Sequence, residues 1–130
     1  MAYLDIITLA EAKTYLRIDD TLTEDDAQIT RMINAALSQV EIATNYILFA
    51  RAKSYVVENL SVNVYDYPIN SLTTPTTATS VEKSIYTTYT TIVSTDLKVT
   101  LNVGYSNASD VPSDLIEVAY EMIDLMYYSP

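Results

Sequence analysis

The sequence has no histidine and no cysteine. Those absences remove the commonest general base, the commonest nucleophile–base pairs and most zinc sites, along with any disulfide framework. A single glycine, Gly104, among 130 residues leaves no room for a glycine-rich phosphate loop. Basic residues are also scarce, seven against seventeen acidic ones, for a formal net charge of −10. Lys13, Arg17, Arg31, Arg51, Lys53, Lys83 and Lys98 are scattered, with no cluster able to neutralise several phosphates. Direct binding of DNA or RNA is therefore not expected. No window approaches a membrane-spanning apolar run, and Met1–Ile7 lacks the basic and apolar regions of a signal peptide. The carboxylate pairs Asp114/Glu117 and Glu121/Asp124 fall along one helix surface, whereas glycoside hydrolysis needs two carboxyls across a cleft. No catalytic activity, cofactor or metal is expected.

What the chain does have is enough apolar content, 49% against 18% charged residues, to bury a core within one domain spanning 1–130. The pattern is α+β and mainly α-helical, with helices expected at about 8–18, 23–48 and 112–128 around an inserted β-region at about 54–104. Thr8-Leu9-Ala10-Glu11 is a capping box. Asp19-Asp20-Thr21-Leu22 breaks the first helix, and Thr23-Glu24-Asp25-Asp26 caps the second. This acidic run lacks the alternating oxygen ligands and central glycine of a calcium loop.

In the second helix Ile29, Met32, Ile33, Ala36, Leu37, Val40, Ala43 and Ile47 form the main apolar stripe. Ala35, Ile42 and Tyr46 form a narrower second row. Threonine, tyrosine and valine then dominate to Val103, which favours strands. Tyr55–Val62 reads as one strand and Thr73–Ser80 as an exposed loop. Ser84–Val93 reads as a hairpin turning near Tyr89-Thr90-Thr91. Leu97–Val103 alternates, with Leu97, Val99, Leu101 and Val103 on one face.

The last helix, opened by Pro112 at its first position, is the most informative element. At about 100° per residue, Asp114, Glu117, Glu121 and Asp124 share a stripe roughly 80° wide, and apolar side chains fill roughly 220°. A helix packed on a single core needs an apolar stripe of about 100°. The excess implies a second contact, with another chain.

The strand end Val103-Gly104-Tyr105, the polar loop, Val111-Pro112-Ser113-Asp114-Leu115-Ile116 and an apolar helix ending at Tyr127 resemble the head–tail connector (adaptor) proteins of long-tailed bacteriophages. Thr8–Arg17 followed by acidic residues, and Tyr67-Pro68-Ile69 in the β-region, match the same pattern in order. The resemblance implies a structural virion protein of the phage neck, made in the host cytoplasm and forming a ring, a dodecamer. Such a ring docks on the portal protein, extends the channel for double-stranded DNA without sequence-specific binding, and receives a stopper, tail-completion or other neck protein. No membrane is involved. The interface residues expected are Ile116, Tyr120, Ile123 and Tyr127 on the last helix, with Ala35, Ile42 and Tyr46 on the long one. Ile123→Asp is then expected to leave a foldable chain, and Leu37→Asp to unfold it. The alternative is an acidic DNA-mimic inhibitor of a nucleic-acid enzyme. It ranks second because the carboxylates gather at helix starts and along one stripe rather than in two phosphate-spaced rows.

Overall fold

A computed structural model describes residues 1–74, 79–81 and 89–129. The chain divides into two compact units: Met1–Thr44 with Tyr105–Pro130, and Asn45–Gly104. The first is helical and the second is built from strands, so the fold is α+β with the β-region inserted, as the sequence pattern implies.

The helical unit contains α1 (Tyr3–Ile6), α2 (Leu9–Tyr15), α3 (Asp26–Thr44), a short 3-10 turn (Ala108–Asp110) and α4 (Ser113–Tyr128). Helix α1 precedes the first expected helix. One apolar turn, Tyr-Leu-Asp-Ile, is too short to show a 3.6-residue period. Helix α2 starts at the expected capping box: the Glu11 amide donates to Thr8 Oγ1, and the Thr8 amide donates to Glu11 Oε1, each at 3.1 Å. It ends at Tyr15 rather than near Ile18, because Arg17 adopts φ +62°. The Ile18 amide donates to Lys13 O and the Arg17 amide to Thr14 O. This is a Schellman closure with arginine where glycine is usual. Helix α3 likewise stops at Thr44, since Asn45 also takes φ +62°. A short polar side chain makes that conformation tolerable.

Helix α3 packs on α4, α1 and α2. Ile29, Met32, Ile33, Ala36, Leu37 and Val40 are buried along it, as the stripe predicts. Ala43 is exposed instead. Ile47 is buried, but beyond the helix and within the core of the β unit. Pro112 is the N-cap of α4 rather than its first helical residue.

Among the described residues, the β unit holds two three-stranded antiparallel sheets. Their orders are β1-β6-β3 and β2-β5-β4, with β1 Arg51–Val56, β2 Ser61–Val64, β3 Ile69–Thr74, β4 Thr79–Val81, β5 Thr90–Val93 and β6 Lys98–Val103. Val57, Val64, Ile92, Val99, Leu101, Val103 and Ile47 form its core. Each large aliphatic side chain there contributes about 1.5–3 kcal/mol by leaving water. Tyr55–Val62 is two strands rather than one, because Asn59 and Leu60 turn the chain at φ +53° and +68°. Thr90–Val93 is a single strand paired to β2 and β4, not the site of a turn. The rest of the expected hairpin, 84–88, lies outside the described residues. The expected loop at 73–80 includes the end of β3 and the start of β4, and 75–78 lie outside the described residues. Leu97 is 81% exposed rather than on the inner face of β6.

Gly104 closes this unit, at φ +106°. Its amide donates to Pro68 O at 2.8 Å and its carbonyl accepts from Asn70 Nδ2 at 2.7 Å. A Cβ at this position would lie 2.2 Å from the Phe49 carbonyl oxygen. The chain keeps its only glycine where no other residue fits.

Candidate functional site: the α2–α4 face

Helix α4 divides its wide apolar arc three ways. Ala119 and Ile123, four residues apart, are completely buried. Leu115, Ile116, Tyr120, Met122, Met126 and Tyr127 are half-buried. Val118, Leu125 and Tyr128 are 47, 62 and 58% exposed. Of the four α4 residues expected at an interface, Ile123 is therefore corrected: it is a core residue that no partner can reach. Ile116 remains partly accessible. Tyr127 is held inside its own unit, its hydroxyl donating to Asp25 Oδ2 at 2.5 Å. That bond raises the tyrosine pKa above its ordinary value.

Tyr120 is the α4 residue that builds a surface. Its ring stacks on Tyr15 of α2, with centroids 4.7 Å apart and planes 22° from parallel, an offset geometry favourable for aromatic pairs. Beside the stack, the Tyr128 hydroxyl donates to Leu16 O at 2.5 Å, tying the end of α4 to the end of α2. Tyr15 stays 39% exposed. A shallow cleft lies on each side of it. One, of about 470 Å³, is lined by Tyr15, Leu16, Arg17, Asp124 and Tyr128. The other, of about 430 Å³, is lined by Ala10, Glu11, Thr14, Tyr15, Asp20 and Tyr120. Partial desolvation first, then the charges of Glu117, Asp124 and Glu121, push the Tyr15 pKa up. Desolvation, then Glu11 and Glu117, does the same for Tyr120. The face is thus aromatic at its centre and mainly anionic around it, with Arg17 as the one cation lining the two clefts.

On α3, Ala35 and Ile42 are both exposed, Ile42 by 69%. Tyr46 does not continue their row, because the helix has ended. It sits in the β unit against Tyr67, with ring centroids 5.2 Å apart. The β unit has its own exposed apolar group at one end, formed by Val56, Leu60, Val93 and Leu97. The backbone bonds Val57 N–H to Leu97 O (2.8 Å) and Ser94 N–H to Leu60 O (3.0 Å) gather these residues.

The acidic run at 19–26 is organised by a cation of the protein itself. Lys13, only 4% exposed, donates from Nζ to Asp20 O (3.3 Å), Leu22 O (2.6 Å) and Asp26 Oδ1 (3.0 Å). Among the described residues, no three carboxylates are grouped to hold a metal ion, and no helix is long and apolar enough to cross a membrane.

Charge separates sharply along the chain. The segments of the helical unit carry thirteen acidic and three basic residues, net −10, and 45–104 carries four of each, net zero. The sequence reading missed Tyr15, Val118, Leu125 and Tyr128. Tyr15 could not be paired with Tyr120 because 105 positions separate them. Leu125 and Ile123 look alike until the helix's rotation is known.

Fold and surface together define an α+β protein whose distinctive chemistry is on exposed faces, as suits a component of an assembly. The phage gp6-like head-tail connector protein family matches residues 6–96, and the chain belongs to that family. It is a family of structural virion proteins located between capsid and tail. Two solved structures share the fold. One, a chain from the virion of a native gene transfer agent (GTA) particle, has a TM-score of 0.73 at 14% identity, covering 98% of this chain and 80% of that one. The other, from the neck of an empty GTA particle computed with C6 symmetry, has a TM-score of 0.67 at 16% identity, covering 94% and 77%. No curated protein sequence matches the chain.

Proposed function

We propose that the protein is a ring-forming connector of the phage neck, a single connector domain that docks on the portal, extends the DNA channel and offers a surface to the next neck or tail component. The observation that carries this reading is the family match across 6–96. The C6 symmetry of the similar neck structure supports a ring whose copy number is a multiple of six, and twelve copies is the number proposed. The channel role is passive. A net charge of −10 repels the duplex, so DNA slides past without being held.

Electron microscopy of particles carrying this protein tests the ring directly, and a single copy in the mature neck would exclude it. Titration of the isolated protein with duplex DNA tests the passive wall. No saturable binding is expected at physiological salt, and micromolar binding that persists there would reject it.

A further inference from the structure

The α2–α4 face carries features that a bare acidic surface lacks. The Tyr15–Tyr120 stack presents aromatic surface to solvent between two shallow clefts. Among the described residues, Glu117, Glu121 and Asp124 form no ion pair with any lysine or arginine. The unit bearing this face holds the chain's whole net charge. A partly exposed aromatic ring with carboxylates outnumbering the one arginine beside it attracts a cation in two ways, through the ring quadrupole and through direct charge. Planar, weakly hydrated guanidinium suits both better than ammonium does, because it stacks on the ring and bonds carboxylates in a fork.

We propose that the α2–α4 face docks a basic, arginine-bearing peptide segment of a partner protein, with a guanidinium stacked on Tyr15 and held by the carboxylates around it. The clefts on either side of Tyr15 accept the flanking side chains of that segment. The surface stands as a docking site whether or not the chain closes into a ring.

The test is an NMR titration of the full chain with a short arginine–serine peptide, alongside its lysine–serine and glutamine–serine counterparts. Expected are saturable shifts confined to α2 and α4, with arginine preferred over lysine by about two- to fivefold and glutamine inert. Tyr15→Leu should abolish the arginine preference. Glu117→Gln with Asp124→Asn, the first exposed and the second half-buried, should weaken arginine and lysine peptides alike by about three- to tenfold. Equal affinity for the two basic peptides, with shifts spread over all the acidic segments, would reduce the effect to bulk charge and overturn the proposal. Shifts on this face that follow protein concentration instead of peptide would make a second copy the occupant, and would overturn it equally.

Discussion

Replacing Ile123 by lysine should unfold the helical unit, whereas the same replacement two residues later, at Leu125, should leave it intact. Ile123 is completely buried and Leu125 is 62% exposed. A lysine forced into the Ile123 site has its charged form disfavoured by up to about 3–5 pKa units. At about 1.4 kcal/mol per unit that is roughly 4–7 kcal/mol, before any loss of aliphatic packing. Set against a typical total stability of about 5–15 kcal/mol, the change removes most or all of it. At position 125 the sign reverses. The new ammonium stands four residues after Glu121 and in the last turn of α4, before the C-cap at Ser129. Both placements favour a cation by a few tenths of a kcal/mol. Circular dichroism with urea unfolding of both variants decides the matter. The Leu125 variant should keep its midpoint. An Ile123 variant within about 1 kcal/mol of wild type would show that α4 is not packed through this residue.

Three further outcomes follow from the same geometry. Lys13→Met keeps the buried stem but strips the ammonium from Asp20 O, Leu22 O and Asp26. It should cost about 2–3 kcal/mol in urea unfolding and loosen 19–26 in hydrogen exchange, so unchanged exchange there would refute the role given to it. Gly104→Ala combines a left-handed backbone with a 2.2 Å approach to Phe49 O. A loss of about 3 kcal/mol or more is expected, centred by NMR on the β1–β6 end of the sheet, and a loss under about 1 kcal/mol would contradict it. Raising the pH should destabilise both units. Tyr55 is pushed up by burial and then by its bond to Asp66, and Tyr127 by its bond to Asp25. With folded-state values above the ordinary 10.0, their contribution is complete below pH 10 and is lost as pH climbs through those raised values. Tyrosinate absorbance recorded with the unfolding midpoint should show at least two late-ionising rings, and ionisation of every tyrosine near 10 would refute this.

The parts of the fold legible in the sequence were those with local causes. The box at Thr8–Glu11, the 3.6-residue stripe from Ile29 to Val40 and the alternation of Val99, Leu101 and Val103 each need only neighbouring residues for their logic. The misplaced ends of α2, α3 and β1 share one cause. With a single glycine available, the chain enters left-handed turns at Arg17, Asn45, Asn59 and Leu60, none of which announces a stop as glycine would. Helix α3 therefore read four residues too long, and β1 and β2 read as one strand. The candidate site fared differently. Composition located the anionic stripe on α4, but the ring that faces it comes from α2. Which apolar residues of α4 point inward depends on α3 rather than on α4 itself, which is why Ile123 and Leu125 were indistinguishable.

The separation of charge bears on how identical copies meet in a ring of the kind proposed. Two helical units brought face to face oppose −10 to −10. Salt largely screens that repulsion only beyond about 8 Å, and a close interface lies inside that distance. The segment 45–104 carries no net charge, and the side chains of Val56, Leu60, Val93 and Leu97 at its exposed apolar end lose no charge hydration when covered, although the exposed Glu58, Asp96 and Lys98 flank them in the chain. Interface cores are depleted of charged residues for this reason. Contacts between like copies are therefore least costly through the β unit, while the carboxylates of α4 are best left facing water or a cationic partner. Leu60 sharpens the point, since it holds a left-handed backbone at φ +68° and still presents 61% of its surface to solvent. Both features are unfavourable in an isolated chain, and covering the side chain removes the second.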